Sequence, residues 1–361
     1  MGKNILIAAG GTGGHLFPAL AVGKMLEKKY GCNLYFIGTS YRIESKKIPE
    51  LGYSYTPTPI SAFPGANLKA FKWVINFLKS QNIAKALLKS KKIDALVCAG
   101  AYISVPPGLA ASNLNVPIFL MESNVNLGKA NKMLLKRAAK IFTSWDKTEQ
   151  YIDDKTKILL TGNPLREEIL NLPNREISLS KWDLPDKFTL LIMGGSLGAK
   201  SINKVVLENL EKLLSLNINI IWQTGGAGNL EGFFIPNSLP SNIKIVDFID
   251  DMASVYAISN FIVSRSGATA VSEISAIGQA SILIPMSGAT NNEQFLNAKY
   301  LSENNAAILI KDSDISNELV PILSECLRNE TKRNDLSKNL IKIARPNATE
   351  QIADYIYNHI K

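Results

Sequence analysis

The sequence predicts an α/β protein made of two Rossmann-like domains with parallel sheets. The chain has 361 residues, 46% of them hydrophobic and 20% charged, which suits about two globular domains. An apolar run enters a glycine-rich turn twice, at Gly10–Gly14 and again at Gly194–Gly198. Such a turn after a buried strand opens a helix in nucleotide-binding βαβ units. Two copies therefore predict two domains of this kind.

Short apolar runs alternate with segments of helical periodicity along the rest of the chain, a pattern that is typical of parallel sheets. Besides the apolar runs before the two turns, the predicted strands are Asn33–Ile37, Ala95–Cys98, Pro117–Met121, Lys140–Thr143, Ile218–Gln223, Ile243–Val246, Phe261–Val263 and Ser281–Ile284. A helix is predicted over Ala348–Ile360.

The domain boundary is predicted at Gly162–Arg166, followed by a polar stretch, Asn171–Ser180, as linker. This gives an N-terminal domain over 1–166 and a C-terminal domain over 167–344. The final helix, at about 345–361, is expected to pack back on the first domain.

Composition indicates an intracellular protein. Its three cysteines are widely spaced and form no Cys-x-x-Cys pair, which favours a reducing cytosol. The apolar run Ile5–Ala9 is too short for a secretory signal. The uncharged stretch Ala95–Met121 is interrupted by prolines and asparagines, so it is predicted to form buried strands and loops rather than a membrane span.

The net charge of +9 is concentrated in one segment. No carboxylate occurs between Glu50 and Asp94, where seven lysines fall. Such a patch suits nucleic acid, anionic lipid or a phosphorylated substrate.

His15 is the first candidate for catalysis. It follows the Gly10–Gly14 turn and precedes an apolar stripe at helical spacing, so it is predicted near a helix N-terminus, where backbone N–H groups attract anions. An imidazole, with a reference pKa of about 6.5, can take a proton from a hydroxyl. The alternative is a tight turn closing over the core. The turn lacks the Gly-Lys-Ser/Thr of a triphosphate cradle and the Gly-x-Gly-x-x-Gly of a dinucleotide site.

Two further loops suit a nucleotide sugar. Ser196 and the N–H groups beside it could hold a diphosphate, although a purely structural turn is the alternative. Ser264–Glu273 follows an apolar run and enters a helix, where Glu273 could accept two hydrogen bonds from ribose hydroxyls. Alternatively, Glu273 is an acid that the helix dipole favours.

The loop Pro285–Gln294 supplies donors and acceptors that sugar hydroxyls need, unless it is an ordinary solvated loop. Acidic pairs such as Asp250-Asp251 lie in loop-like or helix-start contexts, so no metal site and no cofactor is predicted.

Four ordered motifs carry a family resemblance over nearly the whole chain: Gly10-Gly-Thr-Gly-Gly-His15, Gly194-Gly-Ser-Leu-Gly-Ala199, Phe248-Ile-Asp-Asp-Met252 and Ser264–Glu273. In these the sequence resembles the peptidoglycan N-acetylglucosaminyltransferases that convert lipid I to lipid II. The resemblance implies a GT-B fold, in which two Rossmann-like domains face a central cleft. It also implies a role in cell-wall synthesis, and thereby in cell shape and division.

The activity that the resemblance implies is an inverting transfer of N-acetylglucosamine from UDP-N-acetylglucosamine to the 4-hydroxyl of undecaprenyl-diphosphate-linked N-acetylmuramoyl-peptide. His15 becomes the base. Ile249 is expected to offer backbone groups to uracil, and the donor is expected mainly in the C-terminal domain. The donor-site positions matched to the family's motifs are Thr12, Gly13, Gly14, Asn124, Arg166, Ser196, Ile249, Ala268, Thr269, Ala270, Val271, Ser272, Glu273 and Gln294.

Three segments of the sequence depart from the family pattern. Many members carry His-Glu-Gln-Asn where this chain has Met121–Asn124, Gly-Gly-Tyr where it has Gly100–Tyr102, and an Asp near Asn291. Met121 cannot ionise, which leaves His15 as the histidine that can act as the base and puts the role of the 121–124 loop in doubt.

The basic segment 68–92 resembles a helix that lies on a membrane surface, with apolar residues at helical spacing among lysines. Each lysine near an anionic leaflet contributes roughly 1 kcal/mol. The expected location is therefore peripheral, at the cytoplasmic face of the cell membrane. The alternative is a core helix with solvated lysines.

Two competing functions remain. A related GT-B enzyme, either a UDP-sugar transferase with another glycolipid acceptor or a UDP-sugar epimerase, would keep the fold. A basic nucleic-acid-binding protein would use the same lysines, but the segment contains no recognisable reading module, so no nucleic-acid partner is expected.

Overall fold

The computed structural model describes residues 2–65, 68–195, 197–226, 239–288 and 292–360. The chain forms two compact units. The first unit comprises Met1–Arg166 with Arg345–Lys361, and the second unit comprises Glu167–Ala344. Each is built around its own parallel sheet.

The described residues of the first unit form a seven-stranded sheet in the order β3-β2-β1-β4-β5-β6-β7, with every pairing parallel. The strands are β1 Asn4–Ala8, β2 Asn33–Thr39, β3 Ser54–Thr58, β4 Ala95–Cys98, β5 Ile118–Glu122, β6 Lys140–Thr143 and β7 Ile158–Leu160. The helices between them are α1 Gly13–Tyr30, α2 Ile43–Glu50, α3 Lys69–Ser90, α4 Val105–Asn113 and α5 Lys129–Leu134.

The second unit has a six-stranded parallel sheet within its described residues, in the order β10-β9-β8-β11-β12-β13. The strands are β8 Thr189–Met193, β9 Asn219–Gln223, β10 Ile243–Val246, β11 Phe261–Ser264, β12 Ser281–Leu283 and β13 Ile308–Leu309. The helices are α6 Glu167–Leu170, α7 Arg175–Lys181, α8 Lys200–Glu208, α9 Leu210–Leu214, α10 Met252–Ile258, α11 Ala268–Ile277, α12 Glu293–Glu303, α13 Ile315–Arg328 and α14 Glu330–Ile343.

Both faces of the first sheet are covered, as the continuous apolar strands require. Successive side chains of β1 alternate between two cores: Ile5 and Ile7 pack on one face and Leu6 on the other. Helix α1 covers the first face, where Leu16 is fully buried. Helices α3 and α4 cover the second, where Ala84 packs.

A final helix, α15 (Ala348–His359), belongs to the first unit and packs along α1. Tyr357 stacks on Tyr30 with ring centroids 4.0 Å apart. Lys29 pairs with Glu350 at 2.6 Å and with Asp354 at 2.8 Å. The apolar side of α15 therefore completes the core of the first unit.

The predicted strands are all present, with ends within two residues of the prediction, and so is the C-terminal helix. Two predictions are wrong. The stretch Ala95–Met121 contains a helix, α4, between its strands, because its adjacent prolines occupy the first helical turn, where their missing N–H groups cost nothing. Residues 171–180, predicted as linker, carry most of α7, which is capped by the side chain of Asn174 and packs on α10.

In each sheet the strand order reverses beside the first strand of the unit, between β1 and β4 and between β8 and β11. Loops at the carboxyl ends of strands meet at such a switch point and commonly form binding sites there. Among the described residues, no helix is long and apolar enough to cross a membrane.

Candidate active site

His15 lies in the first turn of α1, at the switch point of the first sheet. Thr12 is the N-cap, and its carbonyl accepts hydrogen bonds from the N–H groups of His15 and Leu16 at 3.3 and 3.1 Å. The imidazole Nδ1 lies 2.8 Å from the carbonyl oxygen of Ala99. Because a carbonyl can only accept, Nδ1 carries the proton in the neutral ring, and Nε2 holds the lone pair.

Burial lowers the pKa of His15 from its ordinary value of 6.5, while the hydrogen bond to Ala99 acts in the opposite direction and is the smaller effect. The imidazole is therefore neutral at neutral pH. A neutral ring with a basic Nε2 is the form that a general base requires.

The turn after β4 forms one wall beside this imidazole. A Cβ built on Gly100 would lie 3.5 Å from the His15 ring, so the backbone there is in close contact with it. The Ser104 hydroxyl donates to the Gly100 carbonyl at 2.6 Å. The next residue, Ala101, has φ 56° and ψ 169°, a region that is essentially restricted to glycine. Ala101 is thus strained at this position.

The loop after β5 lies next to this turn and is organised by the buried carboxylate of Glu122. It accepts hydrogen bonds from the N–H groups of Asn124 and Gly128 at 3.1 and 2.8 Å, and from the Asn131 amide at 2.9 Å. A Cβ on Gly100 would lie 3.7 Å from the same amide, so this loop adjoins the turn that holds His15. Met121 is buried in the core.

The other predicted site residues of the first unit are distributed around the start of α1. Thr12 is exposed, while Gly13 and Gly14 are half-buried. Asn124 is buried, and its carbonyl accepts a hydrogen bond from Thr148 at 3.3 Å. The Arg166 guanidinium lies 5.8 Å from the centre of the Phe17 ring, on the first turns of α1.

In the second unit, α11 begins after β11 at the switch point of its own sheet, with Gly267 as N-cap. Ala268, Thr269 and Ala270 form its half-buried first turn. Because Gly267 supplies no capping side chain, the opening N–H groups of this turn suit an anion.

The next residues of α11 are buried, and their polar groups have partners. Val271 is fully buried. The Ser272 hydroxyl donates to the Ala268 carbonyl at 2.7 Å. Glu273 accepts a hydrogen bond from the Tyr256 hydroxyl at 3.1 Å. An ionised carboxylate such as that of Glu273 has about four lone-pair sites, so it can accept more than one hydrogen bond.

The remaining predicted residues lie on neighbouring loops of the second unit. Ile249 is buried before α10. Gln294 is in the first turn of α12, and its side-chain oxygen accepts from the Met286 N–H at 2.9 Å. Ser196 and Asn291 lie outside the described residues. Within the described part of the chain, no group of three His, Cys, Asp or Glu side chains is arranged to hold a metal ion.

Sequence reasoning missed a buried ion pair that supports the second switch point. Arg265, next to β11, donates to Asp312 at 2.7 Å, to Ser201 at 2.8 Å and to the Ile284 carbonyl at 3.2 Å. These bonds tie the loops after β11, β12 and β13 to the start of α8. Arg265 belongs to the Ser264–Glu273 motif, but the sequence does not reveal the ion pair because the partners of Arg265 are distant in sequence.

Comparisons with known proteins agree with this arrangement. Residues 5–143 match the glycosyltransferase family 28 N-terminal domain, and residues 189–352 match the C-terminal domain of the same family. The chain is 34% identical over 356 residues to the UDP-N-acetylglucosamine--N-acetylmuramyl-(pentapeptide) pyrophosphoryl-undecaprenol N-acetylglucosamine transferase of Flavobacterium psychrophilum, covering 97% of this chain and 96% of that protein.

The protein of the same name from Cytophaga hutchinsonii is 36% identical over 360 residues, which is 99% of this chain and 96% of that protein. The crystal structure of Acinetobacter baumannii MurG matches with a TM-score of 0.76 and 27% identity over 99% of both chains. These matches confirm both the resemblance and the predicted fold class. The chain, from its first glycine-rich loop to its final helix, belongs to glycosyltransferase family 28.

Proposed function

We propose that this chain transfers N-acetylglucosamine from UDP-N-acetylglucosamine to the 4-hydroxyl of undecaprenyl-diphosphate-linked N-acetylmuramoyl-peptide, the conversion of lipid I to lipid II in peptidoglycan synthesis. Relatives that span nearly the whole chain carry this activity in their names. The observation that supports the chemistry is His15, whose hydrogen bond to Ala99 leaves Nε2 as the basic atom. Roles in cell shape and division follow from this reaction.

In the proposed mechanism, Nε2 of His15 takes the proton of the acceptor hydroxyl while its oxygen attacks the anomeric carbon. The bond from that carbon to the UDP oxygen breaks, and its electron pair leaves with the diphosphate, so the configuration inverts. The Nδ1–H bond to the Ala99 carbonyl holds the ring and stabilises the imidazolium that forms. Proton and leaving group thus depart at opposite sides of the sugar.

The donor is proposed to bind mainly through the second unit. The N–H groups of Ala268, Thr269 and Ala270 face the diphosphate, and fixed dipoles take the place of a metal ion. Glu273 accepts hydrogen bonds from the ribose in addition to that from Tyr256. The backbone of Ile249 contacts uracil. Further proposed donor contacts come from Thr12, Gly13, Gly14, Asn124, Arg166, Ser196, Val271, Ser272 and Gln294.

The acceptor is proposed to be held at an anionic membrane surface by helix α3. We call its solvent-facing apolar side chains, together with two that precede the helix, the α3 surface: Phe63, Leu68, Phe71, Val74, Ile75 and Leu78. Leu68 is 98% exposed and Phe71 is 76% exposed. The seven lysines of 68–92 are exposed as well. This arrangement favours a peripheral membrane helix over a core helix, at the cytoplasmic face of the membrane.

The test is transfer of labelled N-acetylglucosamine from UDP to a short-chain lipid I analogue, without added metal. The wild type is expected to form product. His15→Ala should lower kcat by about 10²-fold or more, because it removes the base, with donor affinity little changed. His359→Ala is the matched control, since the second histidine is exposed and stacks on Tyr355 in the last turn of α15.

Wild-type transfer that persists in His15→Ala would remove His15 from the mechanism. Binding of UDP-N-acetylglucosamine without transfer to lipid I, together with transfer to a different glycolipid, would support the related transferase instead. Formation of an epimerised UDP-sugar would support an epimerase.

A further inference from the structure

We propose that Glu44 is a positioning residue for His15: its buried carboxylate holds the Gly10–Gly14 loop in one conformation and thereby fixes the imidazole. The kinetic part of this inference rests on the proposed function, whereas its spectroscopic test does not. Glu44 lies in the first turn of α2, outside every motif that the sequence analysis singled out.

The Glu44 side chain is fully buried, which is rare for a carboxylate unless hydrogen bonds compensate for lost hydration. One oxygen, Oε2, accepts from the backbone N–H of Gly11 at 3.0 Å. The other, Oε1, accepts from the N–H of Thr39 at 3.0 Å and from its hydroxyl at 2.7 Å. The carboxylate thus joins the loop after β1 to the end of β2.

The backbone around Glu44 is shaped to admit this side chain. A Cβ added to Gly10 would lie 2.2 Å from Cδ of Glu44, and one added to Gly38 would lie 2.8 Å from Cγ. Gly10 and Gly11 have φ values of 144° and 83°, which favour glycine. Because Gly10 and Gly38 have no Cβ, there is space for the Glu44 carboxylate to lie across the loop.

The constraint reaches His15 by two short routes. Gly11 directly precedes Thr12, whose carbonyl starts α1 by accepting the N–H groups of His15 and Leu16. In addition, a Cβ on Gly11 would contact Ile103 at 3.6 Å. Ile103 lies in the turn after β4, which begins at Gly100 beside the imidazole. A shift at Gly11 is therefore transmitted to both the base and the wall beside it.

Three hydrogen-bond donors face the Glu44 side chain, and a set made of donors suits a carboxylate better than an amide. Tyr55 of β3 is the titratable group next to it, and burial, followed by the charge of Glu44, raises the pKa of Tyr55. Its hydroxyl remains protonated and donates to the Thr39 carbonyl. The other charged residues of this element are Arg42 at the N-cap of α2 and Lys46, Lys47 and Glu50 within the helix, where both lysines lie 4.0 Å from Glu50. In Glu44→Gln the amide nitrogen would point at an N–H or O–H donor on one side.

The experiment compares Glu44→Gln with Asp94→Asn in the full chain. Asp94 is the matched control, because its carboxylate also accepts a backbone N–H, that of Asn4 at 2.7 Å, at the opposite end of β1. The sequence has only two histidines, so imidazole nitrogen NMR resolves His15 once the spectrum of His359→Gln has assigned the other. The readouts are the His15 titration and tautomer, kcat, and donor KM.

In Glu44→Gln, the pKa of His15 should rise toward about 6.5 as the loop loosens and water enters. The Nδ1–H tautomer should become mixed, and kcat should fall at least about tenfold, as misplacement of a reacting group predicts. Donor KM should change less than kcat, by about threefold at most, because most of the proposed donor contacts lie in the second unit and only Thr12, Gly13 and Gly14 lie in the loosened loop. Asp94→Asn should leave all of these readouts at the wild-type values.

A folded Glu44→Gln protein with a wild-type His15 titration and kcat would overturn the proposal. So would equal changes in Asp94→Asn, because they would indicate general destabilisation. If Glu44→Gln does not fold, Thr39→Val decides, since it removes one donor to Glu44 and keeps the carboxylate; it should shift the His15 titration in the same direction, and an unchanged titration there refutes the proposal. If wild type fails to transfer the sugar, the titration still tests Glu44 independently.

Discussion

Replacing Ala101 with glycine should stabilise the protein, although glycine usually destabilises. At φ 56° and ψ 169°, a residue with a Cβ is strained by about 1–3 kcal/mol. Glycine relieves this strain, and it costs about 0.5–1 kcal/mol because it adds freedom to the unfolded chain. The difference is a gain of about 1 kcal/mol, which raises Tm by roughly 2–4 °C for a unit of this size.

Calorimetric unfolding of wild type and Ala101→Gly measures this gain. Ala139→Gly is the control, because Ala139 is exposed, lies in the same unit and has no positive φ. It should lose about 0.5–1 kcal/mol, the ordinary cost of glycine. A Tm for Ala101→Gly at or below that of wild type would refute the strain argument.

Three further predictions concern the site and its supports. Because burial lowers the pKa of His15 below 6.5, kcat/KM should be flat above that pH and fall only below it; an acidic limb centred above 6.5 would contradict the assignment. Arg265→Ala leaves the buried Asp312 carboxylate without the Arg265 guanidinium. It should lower the free energy of unfolding by about 3 kcal/mol, measured by urea unfolding, and it should raise donor KM, measured from initial rates. Phe71→Asp should reduce sedimentation with anionic vesicles at least several-fold, while Ile341→Asp, at an exposed position of the second unit, should not; equal loss in both would argue against the α3 surface.

The fold could be predicted because its signals are local in sequence. Most strands of the two sheets are short apolar runs, and the strands at the switch points are followed by glycines or by a polar helix start. The sequence did not predict the edge strands β3, β7 and β13; β3 is Ser-Tyr-Thr-Pro-Thr and carries no apolar run, and β7 and β13 have only three and two residues. The helix at Val105–Asn113 was missed because Pro106 and Pro107 suggest a break, although prolines are compatible with a first helical turn.

The site could be predicted only in part, for a physical reason. His15 was identifiable because it is one of two histidines and follows a glycine turn. The groups that tune it are the Ala99 carbonyl, 84 residues away, and Glu44, which contacts the Gly11 N–H from 33 residues away. A backbone carbonyl carries no residue-type signal, and an acid in a polar helix looks like a solvated one until its burial is known.

The docking of α15 on α1 constrains the order in which the units can form during synthesis. Ile352, Ala353 and Ile356 lie in the same core as Ile5 and Leu16, yet the ribosome makes them only after all of residues 167–344. The second unit is contiguous and can fold as soon as it emerges, whereas the first must wait with an open apolar face. Nascent chains stalled before residue 345 should therefore hold a protease-resistant second unit and a first unit that still depends on chaperones.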